Sequence, residues 1–213
     1  IGWLRAVKGL PIPPGPGQAG TLRLVFSGLS LPGLASARAR TTAASCGGAA
    51  GLSYPAWAVG ERTGSSLQLF GLRSSASERT NLAVVNTGTE GTVTLRVALR
   101  SGDGNATYEV PSSLLPALSP GEWRQVNDVD LLQAAGFADA TATVTRVGGT
   151  APFDAYAVFN DNLSNDGSFV PAVPAEAGGG DAVVPVVVET SAFESELVLY
   201  NPSATPVRAT LTY

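Results

Sequence analysis

The run Arg79-Thr-Asn-Leu-Ala-Val-Val-Asn86 leads through a polar turn into Thr92-Val-Thr-Leu95, and the same order returns near the C-terminus. There, Leu197-Val-Leu-Tyr-Asn201 leads into Arg208-Ala-Thr-Leu211. Leu197 and Asn201 stand 115 residues after Leu82 and Asn86, and Leu211 stands 116 after Leu95, so the second turn is longer by one residue. Gly51-Leu-Ser-Tyr-Pro-Ala56 recurs as Gly167-Ser-Phe-Val-Pro-Ala172, again 116 residues on. Upstream, Trp3 in Ile1-Gly-Trp-Leu-Arg-Ala-Val7 corresponds to Trp123 in Gly121-Glu-Trp-Arg-Gln-Val126. Self-similarity at one period constrains the fold before any local propensity does. It predicts a complete repeat over residues 55–170, the rear part of a repeat over 1–54 and the front part of another over 171–213.

Within each unit the apolar residues alternate with polar or small ones, which is the period of a half-buried strand. Strands are predicted at 21–26, 34–42, 66–72, 80–86, 92–100, 107–110, 122–126, 141–147, 154–160, 182–188, 196–201 and 208–213. Turn residues punctuate them, with Asp103-Gly104 marking a hairpin. Residues 43–51 around Cys46 read as a loop of small residues, and five of the seven residues at 11–17 are Pro or Gly, which excludes helix and central strand. One helical signal stands at 130–136, with Asp128 or Asp130 placed to cap it and Gly136 placed to end it. The predicted class is all-β: tandem Ig-like antiparallel β-sandwich repeats, one complete and two partial.

The two partial repeats are complementary, lacking together only the counterpart of residues 98 to about 120. A half-sandwich leaves an apolar face and open strand edges without partners. Three arrangements follow: a window of a longer array, pairing between copies, or a discontinuous domain within one chain. Pairing between copies would extend head to tail, because a heterologous contact that does not close propagates. The candidate interface residues are Trp3, Leu22, Leu24, Leu197, Leu199 and Leu211.

The motifs Arg79-Thr-Asn-Leu-Ala-Val-Val-Asn86, Pro120-Gly-Glu-Trp-Arg-Gln-Val-Asn127 and Ala155-Tyr-Ala-Val-Phe-Asn-Asp161, in that order, resemble a tandem β-sandwich repeat of large secreted bacterial surface proteins. The resemblance implies a non-catalytic extracellular module and carries over no catalytic residue. The C-terminal copy departs from the motif, with Glu194-Ser-Glu196 in place of Arg79-Thr-Asn81.

Composition narrows the chemistry. The chain has no His, which removes the usual general base and a common metal ligand. Cys46 is the only cysteine, without a His partner or an evident cation to activate it, and is read as a structural or incidental thiol. A net charge of −4 and a single lysine, Lys8, argue against a nucleic-acid partner. No run of about 18 apolar residues is present, so no membrane-spanning helix is expected. Residues 160–167 carry enough oxygen donors for calcium, yet Asx turns explain them better. Gly178-Gly-Gly180 precedes a strand and is not a phosphate loop. Asn105-Ala-Thr107 and Asn162-Leu-Ser164 fit the glycosylation pattern, a short motif frequent by chance. Trp57 and Trp123 are read as core or interface anchors rather than a sugar platform. No enzyme, cofactor or metal is expected. The expected function is that of an extracellular or cell-surface structural protein, including a head-to-tail filament subunit, whose partner is itself or neighbouring repeats. The alternative is an accessory adhesion or carbohydrate-binding module of a larger secreted protein.

Overall fold

The computed structural model describes residues 19–30, 36–45, 48–57, 64–175, 182–191, 193–203 and 205–212. Trp3, residues 11–17, Cys46 and the triple glycine at 178–180 lie outside them. In chain order the strands are β1 (Arg38–Ser45), β2 (Gly48–Pro55), β3 (Ser66–Arg73), β4 (Glu78–Asn86), β5 (Val93–Ser101), β6 (Thr107–Glu109), β7 (Trp123–Val126), β8 (Asp139–Gly149), β9 (Phe153–Asp161), β10 (Gly167–Pro171) and β11 (Val173–Pro174). A short helix, α1, spans Leu132–Ala135.

The all-β expectation holds. Strands β10-β9-β4-β7 form one antiparallel sheet and β11-β3-β8-β5-β6 another, with the hairpin β1-β2 beside them. The two larger sheets enclose one core. Leu82, Val84, Ala155 and Ala157 point in from the first, and Leu67, Leu69, Val97, Leu99 and Val144 from the second. Each such Leu or Val side chain, taken out of water, stabilises the fold by about 1.5–3 kcal/mol at most. Strand β5 alternates buried and open along its length, as a strand with one wet face should. Strands β4 and β9 are instead buried almost continuously near the middle of their sheet. Their outward residues Ala83, Tyr156 and Val158 form a second apolar cluster, covered by Leu52, Tyr54 and Trp57 at the end of the hairpin.

Two buried polar residues tie the sandwich together. The Asn86 amide donates to the carbonyls of Gly91 and Leu118 at 3.2 and 3.0 Å, and its oxygen accepts from the Gly88 amide at 2.9 Å. Its backbone bonds Glu122 and Gly121, so the Pro120-Gly-Glu-Trp turn is fastened to the end of β4. The Asp128 carboxylate accepts from the Thr80 amide at 3.2 Å, the Ser74 hydroxyl at 2.5 Å and the Gln133 amide at 2.7 Å. The expected helix cap is therefore corrected: neither Asp128 nor Asp130 makes a side-chain capping bond, and Asp128 clips β4 and its preceding turn to the helix. Gly136 does end the helix, in the left-handed conformation a Cβ would disfavour.

Other expectations are corrected as well. Residues 43–45 and 48–51 are not a loop, because β1 and β2 pair as far as Ser45 and Gly48. Residues 21–26, 182–188, 196–201 and the described residues of 208–213 alternate as strands do, but form none. Alternation selects a face; only a neighbouring strand satisfies the backbone, and no strand pairs with these segments among the described residues.

Replacing Asp128 by Ala should leave a buried amide unsatisfied and lower the unfolding free energy by about 2–3 kcal/mol in denaturant titration. Asp128→Asn, which keeps an acceptor, should lose less.

Candidate functional site

The hairpin β1-β2 meets the sandwich through aromatic rings. Tyr54 contacts Tyr156 and Phe169 edge-on, each with ring centroids 5.6 Å apart, and Trp57 lies tilted against the same two rings at 6.3 and 6.0 Å. The Trp123 indole donates to the Tyr156 hydroxyl at 2.7 Å. Burial pushes the Tyr156 phenol up to about 12, with the hydrogen bond from Trp123 pulling the other way and the neighbouring Tyr54 adding slightly to the rise. Burial also raises the Tyr54 phenol. Trp57 and Trp123 are thus anchors of a contact between two parts of the chain. A shallow cleft beside this seam is lined by Thr41, Leu52, Asn81, Gln125 and Asn160.

The loop between β9 and β10 is built from Asx turns, as expected. The Asp161 carboxylate accepts from the amides of Leu163 and Ser164 and from the Ser164 hydroxyl, which holds it below the usual carboxylate range. Arg79 donates to the side chains of Asn162 and Asn165, each at 2.8 Å, so its role is to brace this loop. Among the described residues no group of His, Cys, Asp and Glu is arranged to hold a metal.

Both terminal parts repeat the local geometry of the sandwich. In the hairpin β1-β2, Arg38 faces Pro55 and Thr42 faces Gly51. In β9-β10, Tyr156 faces Pro171 and Asn160 faces Gly167. The bond that follows also recurs, from the Ala56 amide to the Ala37 carbonyl and from the Ala172 amide to the Ala155 carbonyl, at 2.9 and 3.1 Å. At the other end, the turn between β3 and β4 has its match at residues 188–195. The Ser75 amide donates to the Glu78 carbonyl and the Glu78 amide returns to the Ser75 hydroxyl. Thr190 and Phe193 make the same two bonds. The Arg73 amide donates to the Thr80 hydroxyl at 3.0 Å, and the Val188 amide to the Ser195 hydroxyl at 2.8 Å. Asn201 likewise repeats the Asx turn of Asn86, accepting from the Ser203 amide at 3.0 Å.

Of the six candidate interface residues, Leu22, Leu24, Leu197, Leu199 and Leu211 are 47% exposed or more, the least covered being Leu211 at 68%. The structure does not bring them into a buried contact. Thr21 instead donates to the Gly121 carbonyl at 2.5 Å. The C-terminal segment lies along β3, where Tyr200 stacks on Phe70 with centroids 6.0 Å apart and Glu196 forms an ion pair with Arg73. The seat is made by a β-bulge. Residues 70 and 71 stand against the single Thr141, and Gly71, at φ +70°, brings the backbone close to Val198. Missed at the sequence level were Tyr54, Tyr156 and Phe169; their only signal is the repeat position that Tyr54 and Val170 share one residue before a proline.

No helix among the described residues is long and apolar enough to cross a membrane. Comparison of the chain with known protein families, with curated proteins and with solved structures gave no match.

The raised Tyr156 pKa has a definite sign. The folded state keeps this proton after the unfolded chain has begun to lose it, so the stability it contributes is full below pH 10 and is lost as pH rises toward 12. Unfolding midpoints measured from pH 9 to 11.5 should fall, and Tyr156→Phe should flatten part of that fall. Absorbance titration of the wild type should show one late phenol that the variant lacks.

Proposed function

We propose that the chain is a non-catalytic structural protein of an extracellular surface assembly, built of tandem Ig-like β-sandwich repeats of about 115 residues that join head to tail. The observation that carries this reading is the recurrence of local geometry in both terminal parts. The hairpin β1-β2 has the register of β9-β10, and residues 188–195 have the hydrogen bonds of the β3-β4 turn. These are the two halves from which one sandwich is assembled.

By order within the repeat, residues 21–26 stand for β8, β1 for β9 and β2 for β10. Residues 182–188, 196–201 and 208–212 stand for β3, β4 and β5. In the complete sandwich β8 lies between β3 and β5, and β4 lies beside β9. Joining a rear part to a front part therefore interleaves their strands and closes both sheets. It would also cover the exposed apolar side chains of Leu22, Leu24, Phe26, Leu197, Leu199 and Leu211. Exposed apolar surface of this extent, next to unpaired strands, is an association surface. A joint of interleaved sheets is obligate in character, large and apolar. The low charge, the scarcity of lysine and the resemblance to secreted bacterial repeats support the extracellular assignment.

The chain should form concentration-dependent ordered polymers, seen as filaments by negative-stain electron microscopy and as rising light scattering. A chain that stays strictly monomeric at high concentration, with both terminal parts resistant to protease, would falsify the reading.

A further inference from the structure

We propose that the outer edge of β1 takes residues 194–201 of a second copy as its next strand, in the register that sets Glu196 opposite Arg40. The inference rests on the head-to-tail reading above and adds which edge, which segment and what selects them.

The register comes from the complete sandwich. There, β4 runs along β9 with Arg79 opposite Asn160, Asn81 opposite Val158 and Ala83 opposite Tyr156. The hairpin registers equate Asn160 with Thr42 and Tyr156 with Arg38. The recurring turn equates Thr80 with Ser195. Carried across, these place Glu194 opposite Thr42, Glu196 opposite Arg40 and Val198 opposite Arg38. Glu194 is then diagonal to Arg40 and Glu196 diagonal to Arg38, within reach of such long side chains.

The faces agree as well. In the sandwich Tyr156 and Val158 point away from the core, whereas Ala155 and Ala157 point into it. Arg38 and Arg40 occupy the outward positions and are exposed, as are Glu194 and Glu196. Ala39 and Leu197 occupy the inward positions, where Ala157 meets Leu82 in the sandwich. Two arginines and two glutamates thus meet on one face of the joint, and its other face is the one through which Leu52 and Tyr54 cover the sandwich.

Two coordinated departures from the complete repeat mark this pairing as selective. In the sandwich Arg79 braces the five-residue loop between β9 and β10 through Asn162 and Asn165. Between Thr42 and Gly51, the equivalents of Asn160 and Gly167, the sequence Ala43-Ala-Ser-Cys-Gly-Gly-Ala-Ala50 carries no Asn for an arginine to brace. The front part carries Glu194 at that position. Where the sandwich sets the neutral Asn81 against Val158, the joint sets Glu196 against Arg40. A β4-like strand bearing Arg79 would instead bring a third arginine toward Arg38 and Arg40, and like charges across a strand pair are unfavourable.

The occupant is a second copy because one copy holds the two elements against different sheets. The hairpin covers the outward cluster on β4 and β9, and residues 196–200 lie along β3 in the other sheet. No strand among the described residues pairs with the outer edge of β1, and no described acidic residue forms an ion pair with Arg38 or Arg40. The exposed pair Glu196–Arg73 contributes little and is readily exchanged.

Charge exchange tests this in the full chain by sedimentation velocity. R38E/R40E and E194R/E196R should each reduce the wild-type polymer to monomer. The quadruple variant and an equimolar mixture of the two doubles should restore it. Raised salt should weaken wild-type assembly, and Arg73→Gln should leave it intact. Near-ultraviolet circular dichroism checks that each variant stays folded, as substitutions at exposed positions should. Doubles that polymerise like the wild type overturn the charge-registered edge while leaving head-to-tail assembly standing. Restoration in the quadruple variant without restoration in the mixture overturns the second copy in favour of pairing within one chain. Loss of assembly in Arg73→Gln overturns β1 as the edge and assigns the contact to β3. A wild type that is monomeric at every concentration overturns both the inference and the reading beneath it.

Discussion

A strand satisfies only half of its backbone groups on each side, so its existence depends on neighbours that its own residues do not provide. The molecule divides along this line. Where every strand has a neighbour, between Ser66 and Pro174, alternating side chains become two sheets around one core. Where neighbours are absent among the described residues, equally alternating segments such as 182–188 form no ladder, although the turn beside them closes with the same hydrogen bonds as its counterpart. The turn is local and survives alone. The ladder is not local.

Within the sandwich, buried polar side chains do what apolar packing cannot. Apolar contacts tolerate small shifts between sheets, but a buried amide or carboxylate has fixed partners and a large cost if they are lost. Asn86 joins the end of β4 to the carbonyls of Gly91 and Leu118, and Asp128 joins β4 to the segment leading into β8. Both fix long-range connections, which explains why the Asn of the repeated motif and the Asp after the Pro-Gly-Glu-Trp turn stand where they do.

Much of this was legible in the sequence. The strands at 66–72, 80–86, 141–147 and 154–160 announce themselves by alternation, and Gly136 by its place after a helical run. Three things were hidden for physical reasons. Residues 43–51 lack the contrast of large and small side chains that betrays a strand, yet small residues pair well in a narrow hairpin. Asp128 stands where a cap would, and only the tertiary approach of Thr80 and Ser74 gives its carboxylate other work. Glu194 and Glu196 look like decay of a motif until the proposed register sets Glu196 opposite Arg40 and Glu194 diagonal to it. Sequence periodicity reports which face a residue takes, whereas the partner across the strand is a property of the sheet.

The ring contacts among Tyr54, Trp57, Tyr156 and Phe169 carry a mechanical consequence. They hold the hairpin at a set angle to the sandwich it covers, reinforced by the bond from the Gly51 amide to Asp166. Any sheet that grows from β1 inherits that angle. Successive sandwiches would therefore be joined by a stiff elbow rather than a tether, and the pitch and bending rigidity of the whole array would be set by four rings and one carboxylate.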